Sequence, residues 1–370
     1  MKNIFISVIN DISTDQRVHK IACTLLKADA QVTVAGRKLK YSLPINNKPY
    51  KTKRFRLLIN KGPLFYAFYN IRLFFFLIFR KADILIANDL DTLLANYLVS
   101  VIKRKVLVYD SHELFTEVPE LINRKLTKKC WQFIEKKILP KIKYAYTVSE
   151  SISNYYRDKY GIEMSVVRNL PYYREPSSFK KGKNDDFTVI YQGALNMGRG
   201  IELVIKAMKY LEKHKLLLVG DGDITGELKK LAQTENASDK IIFTGRVPHE
   251  DLMNYTTNAD LGISLEEDMG LNYRFALPNK LFNYIQARIP VLVSDLPEMA
   301  KIVKQFNIGE ILYDREPQNL ADVITGMRKS HDKRKLWADN LDIAAKDLCW
   351  EKEEKKLMDI YKKTGLLKKK

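Results

Sequence analysis

The sequence predicts an α/β protein built from two tandem Rossmann-like domains. Short apolar runs rich in valine, isoleucine and leucine alternate with helical patterns along both halves of the chain, which is typical of parallel strands buried between helices. Prolines, serines and a Lys-Lys-Gly-Lys run interrupt this alternation once, at residues 171–186, and favour a linker. The 370 residues are enough for two domains of ordinary size.

The first half, which we assign to a domain at residues 1–170, contains seven predicted strands and five predicted helices. The strands are expected at Ile4–Val8, Gln31–Ala35, Phe55–Ile59, Asp83–Ala87, Lys105–Tyr109, Tyr144–Val148 and Met164–Val167. The helices are expected at Asp15–Lys27, Leu64–Arg80, Leu90–Lys103, Thr127–Leu139 and Glu150–Tyr160.

The second half repeats the pattern, and we assign residues 187–345 to a second domain and 346–370 to a terminal helical segment. Strands are expected at Thr188–Gln192, Lys215–Val219, Lys240–Phe243, Leu261–Leu265, Val291–Ser294 and Glu310–Leu312. Helices are expected at Ile201–Leu211, Ile224–Gln233, His249–Tyr255, Asn279–Arg288, Pro297–Lys304, Pro317–Lys329 and Leu341–Tyr361. Ligands of such sheets bind at the carboxyl ends of the strands, so a cleft between two facing domains is the expected active site.

The charge of the chain is unevenly distributed. Residues 1–170 carry 30 Lys/Arg against 14 Asp/Glu, whereas residues 171–370 carry 33 against 30. A basic first domain indicates an anionic partner such as a membrane surface, although solubility alone also explains such a surface. No aromatic-studded nucleic-acid motif accompanies the charge, so we expect no nucleic-acid partner. Three widely spaced cysteines and the lack of a signal peptide favour a cytoplasmic protein.

Residues 64–79 form the most apolar run of the chain, but they include Asn70 and Arg72. Spanning a bilayer takes roughly 20 residues, so this run is too short to cross one. Two interpretations stay open: a buried core helix, or a helix that lies in the membrane interface, since lysines and arginines flank the run.

The segment 276–294 predicts a phosphate site. It reads as a loop, a helix that begins near Pro278, and a buried strand. Asn279, Lys280 and Asn283 then lie around a helix N-terminus, where free N–H groups and the helix dipole favour an anion.

The loop from Gly193 to Gly200 follows a strand and opens a helix, and its Arg199 could bind two phosphate oxygens. Gly220 and Gly222 end the next strand, and Arg246 ends a third. For each of these three loops an ordinary structural turn remains an equal alternative. Two phosphate sites in one half of the chain favour a nucleotide-diphosphate ligand.

Three loops of the first half are candidates for contact with an acceptor. His112 and Glu113 follow a predicted strand, where an imidazole could donate or accept a hydrogen bond and a carboxylate could take a proton or orient a hydroxyl. The other candidates are Asn10, Asp15 and Arg17 after the first strand and Asp89 after the fourth, and capping of the next helix is the simpler role for Asp15 and Asp89. No second histidine has ligand spacing, so we expect no metal.

These segments together resemble glycosyltransferase family 4, retaining enzymes of the GT-B fold, over nearly the whole chain. The most specific matches are Thr14-Asp-Gln-Arg-Val18, Tyr109-Asp-Ser-His-Glu113, Gly193 with Arg199-Gly200, Val219-Gly-Asp-Gly222 and Leu277-Pro-Asn-Lys-Leu-Phe-Asn-Tyr284. The resemblance implies two Rossmann-like domains facing across a cleft, with the C-terminal helix crossing back to the first domain.

The resemblance also implies roles for individual residues. Arg199 and Lys280 match positions that bind the donor diphosphate, and His112 matches a histidine that contacts the donor sugar. Asn283 stands where most members have a ribose-binding glutamate. The donor-binding set comprises Gly193, Arg199, Gly220, Gly222, Arg246, Asn279, Lys280, Leu281 and Asn283.

The expected function is therefore metal-independent transfer of a sugar from a UDP- or GDP-sugar, without a cofactor. The acceptor is expected to be a lipid-linked or glycan intermediate of surface polysaccharide or glycolipid synthesis, at the inner face of the cytoplasmic membrane. Two alternatives remain: a sugar-nucleotide epimerase of the same fold, and an inactive partner subunit that binds a nucleotide or a membrane.

Overall fold

A computed structural model describes residues 1–45, 47–118, 121, 124–176 and 186–365. The chain divides into two units, one formed by Met1–Asn169 with the segment from Glu353 onward, the other by Leu170–Lys352. Most of the linker expected at 171–186 lies outside the described residues, which resume at Asp186. Among the described residues, no helix combines the length and apolar character needed to cross a bilayer.

The first unit is built on a seven-stranded parallel sheet in the order β3-β2-β1-β4-β5-β6-β7. Its strands are β1 (Lys2–Asp11), β2 (Ala30–Lys38), β3 (Lys51–Arg56), β4 (Ile84–Asn88), β5 (Val106–Ser111), β6 (Tyr144–Thr147) and β7 (Ser165–Val166). Its helices are α1 (Gln16–Lys27), α2 (Gly62–Ile78), α3 (Leu90–Lys103), α4 (Lys125–Ile138) and α5 (Glu150–Tyr160). The central strands β1 and β4 are almost fully buried, as strands covered on both faces are.

The second unit has a six-stranded parallel sheet in the order β10-β9-β8-β11-β12-β13. Its strands are β8 (Phe187–Gln192), β9 (His214–Val219), β10 (Ile241–Gly245), β11 (Leu261–Ser264), β12 (Val291–Ser294) and β13 (Gly309–Leu312). Its helices are α6 (Ile201–Ala207), α7 (Thr225–Thr234), α8 (His249–Thr257), α9 (Leu271–Arg274), α10 (Asn279–Gln286), α11 (Pro297–Phe306), α12 (Pro317–Lys329) and α13 (His331–Asp347). Val189 and Ile190 of β8 enter separate apolar clusters, so this sheet is also covered on both faces.

The last helix, α14 (Trp350–Lys363), begins in the second unit and packs on the first. Glu354 pairs with Lys27 of α1, with 2.7 Å between Nζ and Oε1. The hydroxyl groups of Tyr361 and Tyr146 lie 3.3 Å apart in the interior. The expected return of the C-terminal helix to the first domain is therefore confirmed, as is the fold of two parallel-sheet, Rossmann-like halves.

Three predicted elements differ from the structure. The third strand, expected at Phe55–Ile59, is Lys51–Arg56, an edge strand whose exposed lysines hid it from an apolar pattern. The helix expected at Leu341–Tyr361 is two helices, α13 and α14, and the free N–H of Trp350 at the start of α14 donates to the Pro171 carbonyl. The helix expected to reach Arg288 ends at Gln286, and Arg288 has a φ of 60°.

Candidate functional site

Both sheets reverse their strand order at an internal point, between β1 and β4 in the first unit and between β8 and β11 in the second. In open α/β sheets, ligands bind beside the carboxyl ends of the strands at this point. A cluster of charged side chains lies at the reversal point of each sheet, one in each unit.

The cluster in the second unit is centred on Glu266, two residues beyond the end of β11. Its carboxylate is fully buried and lies 2.6 Å from the Lys280 ammonium, measured from Oε1 to Nζ. The Arg199 guanidinium lies 3.8 Å from the same oxygen, and Ser264 donates to the other oxygen at 2.7 Å. The two cations expected to bind phosphate are thus brought together by a carboxylate that was not among the predicted site residues.

Burial would raise the pKa of Glu266, but Lys280, the Ser264 hydroxyl and Arg199 outweigh it and hold the pKa below its usual value. Glu266 is therefore ionised at neutral pH. Lys280 is only 8% exposed, and its ammonium also lies 4.1 Å from the centre of the Tyr191 ring. Two cations share one carboxylate, so the cluster keeps an excess of positive charge.

Helix α10 carries Lys280 in its first turn, and the helix is fixed by Tyr284. The Tyr284 hydroxyl lies within hydrogen-bonding distance of the carbonyls of Ile190 and Ile263, and it accepts from the Gln192 N–H at 3.2 Å. These atoms belong to β8 and β11, so the helix is tied to both strands at the reversal point. A side chain at Gly262 would meet the Tyr284 ring at 2.4 Å, which explains the glycine.

The start of α10 is where the sequence predicts an anion site, and its first turn has no side-chain cap. Pro278 is the N-cap residue and offers no side-chain hydrogen bond to the first turn. Asn279 is exposed, Asn283 is half-buried and Leu281 is buried. Leu281 therefore packs in the core, and the asparagines are the side chains that reach the surface here.

The glycines of the neighbouring loops allow close backbone packing. A Cβ at Gly220 would lie 1.9 Å from the Gly193 carbonyl oxygen, and one at Gly222 would lie 2.4 Å from the Leu195 oxygen. Gly200 likewise approaches the Leu265 carbonyl, with 2.1 Å to an added Cβ. Close backbone packing in an ordinary turn is therefore enough to explain why these positions are glycine. Contact of these loops with phosphate stays a prediction. Arg246 is exposed and lies 3.5 Å from Asp221.

Replacing Gly220 with alanine is expected to destabilise the second unit by about 2 kcal/mol or more. Its φ of 141° is strained for alanine, and the added methyl group overlaps the Gly193 carbonyl. The matched control is Gly226→Ala in α7, where an added Cβ meets open space. Alanine favours the helical conformation more than glycine does, so the free energy of unfolding should rise or stay constant. Urea unfolding of both variants checks this. Equal stability of the two proteins would contradict it.

The cluster in the first unit surrounds His112. Its Nε2 lies 3.0 Å from Asp110 Oδ2, and its Nδ1 lies 3.2 Å from Asp89 Oδ2. The His112 backbone N–H donates to Asp89 Oδ1 at 2.7 Å. Burial would lower the pKa of His112, but the two carboxylates outweigh it and raise the pKa to about 9. The imidazole is therefore a cation at neutral pH with both ring nitrogens as donors.

Arg17 lies beneath this cluster and not on the surface. Its guanidinium binds Asp110 in a bidentate pair, with 2.7 Å between Nη2 and Oδ1, and also donates to the Val167 carbonyl. Burial would raise the pKa of Asp110, whereas Arg17 and His112 lower it to about 2. The structure thus places Arg17 where it orients Asp110, which in turn orients His112.

The remaining first-unit candidates have local partners. Asp15 accepts from the Val18 N–H at 3.0 Å and caps α1, as the simpler interpretation expected. Asp89 occupies the N-cap position of α3 with a φ of 57°, but its carboxylate makes no capping bond and instead contacts His112. Asn10 is exposed at the end of β1, and Glu113 is half-buried.

The raised pKa of His112 predicts a pH-dependent stability. Its ordinary value in the unfolded chain is near 6.5, so the charged form stabilises the fold fully below pH 6.5 and this contribution is lost as the pH rises through about 9. The difference in unfolding free energy between the protein and His112→Asn should shrink by roughly 1–3 kcal/mol between pH 6 and pH 10. Urea unfolding at several pH values measures it, and a constant difference would contradict the assignment.

Comparison with known proteins agrees with this architecture. A family model described as Glycosyltransferase Family 4 matches residues 15–170, and one described as Glycosyl transferases group 1 matches residues 174–342. Curated relatives include an uncharacterized glycosyltransferase of Methanocaldococcus jannaschii, 27% identical over 189 residues, which are 49% of this chain and 46% of the relative. The alpha-D-kanosaminyltransferase of Streptomyces kanamyceticus is 21% identical over 192 residues, 50% of this chain and 48% of the relative. The chain thus spans about half the length of these relatives.

Solved structures resemble the chain over nearly its whole length. The sucrose-phosphate synthase of Thermosynechococcus elongatus has a TM-score of 0.82 and 17% identity, with 99% of each chain covered. Anabaena HepE, solved in complex with UDP, has a TM-score of 0.74 and 16% identity, with 98% of this chain and 100% of the other covered. At these identities the likeness shows the fold alone.

Proposed function

Because the chain belongs to the family 4 glycosyltransferases of the GT-B fold, we propose that it is a retaining enzyme that transfers a sugar from a nucleotide-diphosphate sugar to a hydroxyl group. The observation that carries this proposal is the pair of cations, Lys280 and Arg199, gathered by Glu266 at the N-terminal end of α10.

The cluster suits a diphosphate leaving group. As the bond between the sugar and the β-phosphate breaks, negative charge grows on the phosphate oxygen. Lys280, Arg199 and the first-turn N–H groups of α10 would stabilise that charge. We propose that these cations and dipoles take the place that a divalent metal occupies in other transferases.

The proposed chemistry keeps the anomeric configuration. The acceptor hydroxyl attacks the anomeric carbon from the face that the leaving group vacates, the bond from that carbon to the phosphate oxygen breaks, and the hydroxyl proton passes to the departing phosphate. His112 would contact the donor sugar, and for this one of its ring N–H groups would exchange its carboxylate partner, Asp89 or Asp110, for a sugar hydroxyl. It would not serve as a general base, because a base must be unprotonated.

The donor and acceptor are proposed as classes. A uridine or guanosine diphosphate sugar is the proposed donor, supported by a fold shared with Anabaena HepE, whose solved complexes contain UDP and UDP-glucose. Asn283 would hydrogen-bond the ribose as a neutral amide. The proposed acceptor is a lipid-linked or glycan intermediate of surface polysaccharide or glycolipid synthesis, supported by the basic first half, and the enzyme would work at the inner face of the cytoplasmic membrane.

A screen of UDP- and GDP-sugars with a lipid extract as acceptor tests the proposal. Mass spectrometry should detect free UDP or GDP and a new product. The mass of this product should exceed that of a lipid in the extract by the mass of one sugar residue. An isomeric sugar nucleotide formed without acceptor would instead indicate an epimerase. Neither product, despite a nucleotide-induced rise in melting temperature, would indicate an inactive binding subunit.

A further inference from the structure

Helix α2 presents two apolar faces instead of one. Its buried face is formed by Phe65, Tyr69, Leu73 and Leu77 at four-residue spacing, which confirms that part of the run packs in the core. Its opposite side leaves Leu64, Phe68, Ile71, Phe75 and the following Phe79 exposed to solvent. Solvent-exposed phenylalanines on successive turns of one helix are unusual for a monomer surface and indicate a partner.

The neighbouring helices extend this surface. Helix α3 packs beside α2, where Asn70 Nδ2 donates to the Asp91 carbonyl at 2.7 Å, and α4 approaches α2 through a Tyr66–Trp131 ring contact at 5.2 Å. Helices α3 and α4 expose five further apolar side chains, namely Leu98, Val101, Ile102, Leu126 and Phe133. The solvent side of α2, α3 and α4 is called the three-helix face below.

Charge on the three-helix face has one sign. The only acidic residues in these three helices, all of whose residues are described, are Asp91 and Glu135, and both are buried. Exposed cations lie within the helices or directly after them, and they are Arg72, Arg80, Lys81, Arg104, Lys105, Lys125, Lys129, Lys136, Lys137 and Lys141. Two acids just outside the three helices pair with lysines in or directly after them: Glu117 lies 2.8 Å from Lys128, and Asp83 lies 3.9 Å from Lys105.

We propose that the three-helix face docks onto an anionic lipid bilayer, with the α2 phenylalanines inserted among the acyl chains and the surrounding cations at the headgroups. Apolar side chains flanked by lysine and arginine, with no exposed acid, match the boundary of such a bilayer. A protein partner does not require a face of one charge, whereas an anionic bilayer favours a purely basic one. The absence of exposed acid from these three described helices therefore favours the lipid. The choice of a membrane as the partner rests on the proposed function, in which the acceptor is lipid-linked.

Vesicle sedimentation in the absence of donor tests the docking. The protein should sediment with vesicles that contain phosphatidylglycerol and remain in solution with pure phosphatidylcholine, and binding should weaken at least tenfold between 50 and 500 mM salt because the charges become screened. The double variant Phe68→Ser/Phe75→Ser should bind at least tenfold more weakly at an unchanged melting temperature. The control Ile343→Ser removes an exposed apolar side chain from α13 and should bind normally.

Cys130 provides an independent probe of the same face. It is exposed on α4 between Leu126 and Phe133, whereas Cys349 is buried. In a Cys23→Ser protein labelled at Cys130 with an environment-sensitive dye, the emission of the dye should shift to shorter wavelength when anionic vesicles are added. Lipids that carry a nitroxide should quench this fluorescence. Equal binding to both vesicle types, an unchanged dye spectrum, or a dimer in solution that Phe68→Ser/Phe75→Ser dissociates would overturn the inference.

The two proposals fail differently. A protein that transfers sugar to a detergent-solubilised acceptor but ignores vesicles would refute the docking surface and leave the proposed function intact. A protein that binds anionic vesicles through this face but transfers no sugar would refute the proposed function alone.

Discussion

Replacing Lys280 with methionine is expected to lower kcat/KM for sugar transfer by about 100- to 1,000-fold. The ammonium is proposed to stabilise the departing diphosphate, and removing one such preorganised donor costs this much in other enzymes. The variant also leaves the Glu266 carboxylate buried beside a single, more distant cation. We therefore expect the unfolding free energy to fall by about 3–5 kcal/mol as well.

A double variant separates the two effects. Lys280→Met/Glu266→Gln removes both charges of the buried pair, so most of the lost stability should return while transfer remains at least about 100-fold impaired. The matched control is Lys209→Met, which breaks an exposed Lys–Glu pair at 3.0 Å and should leave stability almost unchanged. Steady-state kinetics and urea unfolding provide both readouts. A double variant with normal kcat/KM would remove Lys280 from the reaction.

Asp110→Asn is expected to produce the largest loss of stability in the first unit, about 3–5 kcal/mol. The substitution leaves the Arg17 guanidinium buried without its carboxylate and removes one of the two partners of His112. The pKa of Asp110 is about 2 in the folded protein, so its stabilisation is present above pH 4 and is lost as the pH falls through 2. The variant should therefore approach the stability of the parent protein in acid.

Hydrogen exchange of first-unit amides under native conditions measures this change locally, without assuming that both units unfold together. The matched control is Asp158→Asn, which breaks an exposed pair with Arg157 at 3.4 Å and should leave exchange unchanged. A second variant, Asp110→Asn/Arg17→Met, should recover part of the protection. Unchanged exchange in Asp110→Asn would show that the buried pair does not stabilise this unit.

The elements of both sheets could be predicted because their strands are continuous apolar runs, and such runs follow from burial on both faces. Strand β3 was misplaced for the converse reason: it lies at an edge, and Lys51, Lys53 and Arg56 are exposed to solvent. Helix α9 was not predicted because four residues are too few for a periodic pattern. Exposure to solvent and the length of an element therefore decided which elements the pattern could reveal.

The cations of the donor cluster could be predicted from their loops, but their carboxylate partner could not. Glu266 was not among the predicted site residues, although it lies only two residues beyond the buried strand β11. An acid at the end of a strand at the order reversal is the signal that could have identified it. The burial of Arg17 likewise depends on Asp110, 93 residues away, and no local pattern carries that information.

The most direct test of the account is a crystal structure of the protein with UDP or GDP. The account predicts phosphate oxygens within about 4 Å of both the Lys280 ammonium and the Arg199 guanidinium, with the β-phosphate at the N-terminus of α10. A nucleotide bound with its phosphates away from both side chains would contradict the account.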